Sequence, residues 1–128
     1  MRYLLDTCTF LWLALDKKDL SAVARRAFQN PDNEIFLSAV SVWEMAVKHA
    51  AGYLPLPSDP PRWIENSRMN HDITSLPLEE PTAAYVAKLP PMHRDPFDRM
   101  LICQSIVHEL TLLTPDQHIS QYPIRTLW

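Results

Sequence analysis

Short apolar runs alternate along the chain with stretches whose apolar residues recur at helical spacing. The run at 2–5 stops at Asp6 and predicts a buried strand, and Phe10, Leu11, Ala14 and Leu15 then line one side of a helix. Leu20, Val23, Ala24, Ala27 and Phe28 predict a second helix over 20–30, stopped by Pro31. Residues 34–37 predict a second strand. Ser38 and Ser41 open the helix that follows, which carries Trp43, Met45, Ala46, Val47 and Ala50 and ends at Gly52 as a C-cap. Beyond it come a helix at 61–69, a brief strand at 73–76 and a helix at 79–89 closed by Pro90-Pro91. The longest periodic segment runs from Pro96 to Leu110, followed by a strand at 111–114 and a last edge strand within 124–128. Strands alternating with helices predict an α/β domain with a mainly parallel sheet, whose functional residues gather at the carboxyl ends of the strands. There is no internal repeat, low-complexity tract or linker, so residues 1–128 read as a single domain.

Composition narrows the chemistry. With 47% hydrophobic and 21% charged residues, the 128-residue chain is a folding sequence with room for one core. Its single glycine, Gly52, excludes both the dinucleotide-binding and the phosphate-cradling loops, which need several glycines within a few residues. Nine of the twelve prolines lie between Pro55 and Pro96, so that stretch must be built of short pieces. The net charge of −3 does not advertise a nucleic-acid binder, yet a cation or a local patch can supply the missing positive charge. Cys8 and Cys103 form no metal-binding pair and read as small packed residues with reduced thiols. No signal peptide is recognisable, no apolar run is long enough to span a membrane, and a cytoplasmic location is expected.

Four carboxylates hold telling positions. Asp6 follows the first strand, Glu44 lies one turn into the helix after the second, Asp98 is in the first turn of the 96–110 helix, and Asp116 follows the 111–114 strand. Each has a capping alternative. Asp6 and Asp116 fit helix N-caps, Ser41 and Glu44 match a capping box, and Asp95-Pro96 is an N-cap before a first-turn proline, with Asp98 favouring the helix dipole. A parallel sheet would bring Asp6, Glu44 and Asp116 to its carboxyl edge, and four carboxylates brought together repel one another and call for a hard divalent cation, Mg²⁺ or Mn²⁺. Such clusters serve metal-assisted attack of water on a phosphodiester.

The segments YLLDTCTFLWLAL, LSAVSVWEMAVK, HRDPFDRMLICQ (93–104) and LLTPD (112–116), in this order, resemble a PIN-domain ribonuclease. More narrowly, they resemble the VapC-like toxins of type II toxin–antitoxin systems that carry an HRDPFDR motif. The resemblance spans essentially the whole chain. It implies a three-layer α/β/α fold with a four- or five-stranded sheet, and metal ligands at Asp6, Glu44, Asp98 and Asp116. It implies Mg²⁺- or Mn²⁺-dependent endonucleolytic cleavage of RNA to a 5′-phosphate and a 3′-hydroxyl, and a homodimer inhibited by a small cognate antitoxin.

Around these acids, Thr7 and Thr114 either orient carboxylates or satisfy local backbone, and Asp95 is an N-cap within water-bridged reach of the metal. Arg94 and Arg99 either hold a phosphate or form ion pairs with Asp95 or another acid; Lys48, at i+4 from Glu44, fits a helix-surface pair or a phosphate contact. His93 reads as a solvated residue ahead of the helix. Trp12, Trp43 and Trp63 read as core or interface residues rather than base-stacking platforms, with the helix carrying Trp12 a candidate dimer or antitoxin contact. A phosphoryl-accepting receiver domain would need a second acid beside Asp6 and a late lysine, and a DxDxT phosphohydrolase would need an aspartate where Cys8 stands. The remaining alternative is a catalytically inactive RNA- or protein-binding module of the same fold.

Overall fold

The computed structural model describes residues 1–128. Five parallel strands, β1 (Arg2–Leu5), β2 (Glu34–Ser38), β3 (Thr74–Leu76), β4 (Thr111–Leu113) and β5 (Thr126–Leu127), form one sheet in the order β3-β2-β1-β4-β5. The seven α-helices are α1 (Thr7–Ala14), α2 (Ala22–Gln29), α3 (Ala39–Ala50), α4 (Pro60–Asn70), α5 (Glu80–Tyr85), α6 (Pro96–His108) and α7 (Gln117–Ser120).

Alternation along the strands builds two cores. Tyr3 and Leu5 of β1, Ile35 and Leu37 of β2 and Leu113 of β4 face one side, where Phe10, Leu13, Ala24, Ala27, Met45 and Ile64 cover them from α1–α4. Leu4, Phe36 and Leu112 face the other, under Leu101, Ile102 and Cys103 of α6, Ile119 of α7 and Val40 of α3. Both faces are thus covered, which is why the strands read as continuous apolar runs rather than as alternating ones. The result is the three-layer α/β/α arrangement, with five strands and every pairing parallel.

Local chemistry sets the boundaries. α3 starts at Ser38, whose hydroxyl accepts from Val40 N; it ends in a Schellman motif with Gly52 one residue past the cap at φ +83°. The predicted 79–89 helix tightens into a 3₁₀ turn at Val86–Lys88, because Leu89 precedes Pro90 and must leave helical geometry (ψ 130°). Leu20 lies outside α2, which Ser21 caps, yet Leu20 is buried.

The strand order reverses direction at β1: β2 and β3 lie on one side of it, β4 and β5 on the other. The crevice at the carboxyl ends of β1 and β4 is therefore a topological switch point, where sheets of this kind bind ligands.

Candidate metal centre

Asp6 is the first residue beyond β1. Its Oδ1 accepts from Thr9 N at 2.7 Å, which caps α1, and its Oδ2 accepts from the Thr114 hydroxyl at 2.5 Å across the switch point. Capping and a place in the acid cluster are thus compatible, because each carboxylate oxygen has a second lone pair. Burial holds the Asp6 carboxyl above its ordinary range, against the pull of the Thr114 and Thr9 hydrogen bonds, and the charge of Asp116 adds to the rise.

Glu44 is buried at the centre of α3. Its Oε1 accepts from Thr7 Oγ1 at 2.6 Å, and its Oε2 takes the Lys48 ammonium one turn on. The capping-box reading of Ser41 and Glu44 is not what forms. The helix begins three residues earlier, at Ser38, so Ser41 lies inside it, with its hydroxyl 3.0 Å from Thr7 Oγ1. The hydrogen bond to Glu44 is the largest cause of the upward shift of the Lys48 ammonium.

Asp95 caps α6 through Oδ1, which accepts from Phe97 N at 2.9 Å and Asp98 N at 3.4 Å. Asp98, in the first turn, accepts from His93 Nε2 at 2.9 Å. Burial, together with the charges of Asp95 and Glu44, pushes its carboxyl up to about 6, although the His93 hydrogen bond opposes this. Asp116 caps α7 through His118 N at 2.8 Å, and its Oδ2 lies 3.8 Å from His93 Nε2.

One cleft of about 160 Å³ is lined by Asp6, Thr7, Glu44, Lys48, Asp95, Asp98 and Asp116, with Cys8, Trp12 and Pro115 completing its wall. Lys48 is the sole basic side chain in that lining. Within the cleft region, donor atoms of His93, Asp98 and Asp116 lie within 4.8 Å of one another. Four carboxylates and Asp95, with a single lysine among them, fit a hard divalent cation that keeps part of its water shell. Asp98 and Asp116 would hold it, facing Asp6 and Glu44.

Several sequence readings need revision. Arg99 reaches neither an acid nor the cleft: its guanidinium donates to the carbonyls of Pro90 (3.0 Å), His93 (3.4 Å) and Leu89 (3.5 Å) and to Tyr122 Oη (3.4 Å). Neighbours on a helix project about 100° apart, so with Asp98 aimed at the cleft Arg99 is turned to the loop. Arg94 is exposed and makes no ion pair. His93 is not solvated; its side chain is only 15% exposed and stacks on His118 at 5.5 Å. Cys103 is packed as expected, but Cys8 is exposed at the cleft wall. Partial burial of its thiol and the charges of Asp6, Glu44 and Asp98 push it up to about 11, which suits a neutral thiol and not a nucleophile. Trp63 packs edge-on against Phe10, Trp12 lies against Trp128 beside the cleft, and Trp43 is 56% exposed against Phe97. His93 opens the HRDPFDR motif five residues before Asp98, and Trp12 was read as a core or interface residue, but nothing in the sequence pointed to His118.

Comparison with known proteins agrees with this architecture. No curated protein matches the chain. Among solved structures, it is similar to a chain of VapBC2 from Rickettsia felis, bound to a promoter DNA fragment (12% identity, 99% and 98% of the two chains, TM-score 0.74). It is also similar to a chain of DNA-bound VapBC from Salmonella typhimurium (17% identity, 99% and 97%, TM-score 0.71) and of FitAcB from Neisseria gonorrhoeae (20%, 98% and 96%, TM-score 0.66). At these identities the likeness is one of fold. The sequence model described as PIN domain matches residues 3–124, a span holding Asp6, Glu44, Asp98 and Asp116, and the chain belongs to the PIN domain family.

Proposed function

We propose that the chain is a divalent-metal-dependent endoribonuclease acting as the toxin of a type II toxin–antitoxin pair, with Asp6, Glu44, Asp98 and Asp116 as its metal-site acids. The observation that carries this reading is the convergence of those four carboxylates on one cleft whose only basic side chain is Lys48. Membership of the PIN domain family supports a nuclease. The likeness to chains of VapBC and FitAcB assemblies supports an antitoxin partner and a VapC-like toxin, and the HRDPFDR motif at 93–99 carries the narrower subgroup. The homodimer and the cytoplasmic location belong to the same proposal.

Bound Mg²⁺ or Mn²⁺ supplies an acidified water and a counter-charge for the phosphate. The protein's own part is positional. Thr114 orients Asp6 and Thr7 orients Glu44, so each acid presents a fixed oxygen. Asp95, its Oδ1 engaged in the cap, reaches the site through water. Lys48 neutralises Glu44 in the free protein and can turn to a substrate phosphate once a cation takes over that task. We assign the second phosphate contact to exposed Arg94 and none to Arg99, whose donors are spent on the loop.

The test is cleavage of structured RNAs by purified protein with and without Mg²⁺, beside Asp98→Asn. Cleavage should need the metal, leave 5′-phosphates and fall at least about 100-fold in the variant, which loses a carboxylate that would hold the ion. Equal cleavage by both proteins, or neither cleavage nor metal binding by wild type, would end the nuclease reading in favour of a binding module.

A further inference from the structure

We propose that His93 is a positioning residue, held as the Nε2–H tautomer by the 89–94 loop, which fixes the Asp98 carboxylate for the cation and pins it beside Asp116. The inference rests on the metal-site reading above and deepens it.

The tautomer follows from the ring's two neighbours. Arg94 N–H donates to His93 Nδ1 at 3.1 Å, so Nδ1 is an acceptor and the ring proton sits on Nε2. Nε2 then donates to Asp98 Oδ2 at 2.9 Å, leaving Oδ1 free to face a cation. The same nitrogen lies 3.8 Å from Asp116 Oδ2, so one N–H sits between two carboxylates that would otherwise repel. His118, on the element Asp116 caps, stacks on the ring at 5.5 Å.

The loop that carries His93 is held by two side chains from outside it. Pro90 and Pro91 offer no N–H, so the loop has few donors with which to organise itself. Arg99 supplies donors instead, to the carbonyls of Leu89, Pro90 and His93. Tyr122 Oη donates to Pro90 O at 2.7 Å and accepts from His93 N at 2.9 Å. Arg99 and Tyr122 therefore act on the acids through His93, which gives Arg99 a task in place of a phosphate contact.

Calorimetric titration with Mn²⁺ tests this on wild type, His93→Ala, His93→Gln, Tyr122→Phe, the His93→Ala/Tyr122→Phe double variant and Asp98→Asn, each checked for folding by far-ultraviolet circular dichroism. His93→Ala should weaken Mn²⁺ about tenfold at unchanged stoichiometry, the low end for loss of a residue that orients a ligand. His93→Gln, whose amide N–H reaches the place of Nε2–H, should come back to within about threefold of wild type. Tyr122→Phe should weaken binding and add nothing to His93→Ala, because the two act in series. Wild-type affinity in His93→Ala, with binding lost in Asp98→Asn, would overturn the proposal. So would a folded His93→Gln that binds no better than His93→Ala, which would make the imidazole itself a ligand. Wild type and Asp98→Asn titrating alike would instead sink the metal-site reading beneath it.

Discussion

At the scale of single residues, Asp6 and Glu44 each accept from a threonine hydroxyl, Asp98 accepts from the His93 ring, and only Glu44 also meets a lysine, which has consequences for pH and metal. Asp98 titrates at about 6 in the fold against an ordinary value of 3.8, and Asp6 is shifted in the same direction. A carboxyl with a raised folded value binds its proton more tightly when folded. Its contribution to stability is therefore present at low pH and lost as pH rises through the window from 3.8 to about 6. Mn²⁺ binds the ionised form, so its stabilisation should run the other way: it should raise the melting temperature clearly at pH 7.5 and little at pH 5, as read by thermal denaturation with and without the ion. Thr114→Val, which removes the hydroxyl that meets Asp6 Oδ2, should weaken Mn²⁺ about tenfold by calorimetry while leaving the sheet intact. Four acids that line the cleft were legible in the sequence, Asp6, Asp98 and Asp116 because each stands at the end of an element and Glu44 because it lies in the helix that follows the second strand. The histidine between them was not, because its role depends on a loop shape that no periodicity records.

The elements themselves were legible almost throughout, and their departures have local causes. Ser38, not Ser41, begins α3, because the β2 run carries one residue further than its apolar part. Two C-termini give opposite predictions. Gly52 sits at φ +83° with nothing near a built Cβ, so Gly52→Ala should destabilise through backbone strain alone, by about 1 kcal/mol in urea unfolding. Glu109 ends α6 in the left-handed region at φ 55°, a conformation glycine adopts freely, and Glu109→Gly should stabilise by up to about 1 kcal/mol. α6 also bears a buried polar tie: Ser38 Oγ donates to Gln104 Oε1 at 2.5 Å, and Gln104 Nε2 donates to Pro77 O at 3.3 Å. That tie fastens the helix of Asp98 to the strand that precedes Glu44, and periodicity alone would have left Gln104 on the surface.

For the whole molecule, α/β class and parallel pairing followed from alternating runs, while the strand order did not, since apolar runs carry no record of their neighbours. β1 came out central, with Leu4 in one core and Leu5 in the other. Leu4→Ala should accordingly cost about 2–5 kcal/mol, checked by the shift of the urea midpoint. No helix is long and apolar enough to cross a membrane. The placement of β1 also governs timing. The strand is made first, yet its partner β4 lies more than a hundred residues downstream, and the Asp6–Thr114 bond closes a separation of 108. During synthesis Asp6, held only by Thr9 N, must wait for the 108 residues that lead to Thr114. A truncated product stopping before Thr111 would lack Asp116 and the strand that seats it, so the cleft comes into being only after β4 and Asp116 have been made.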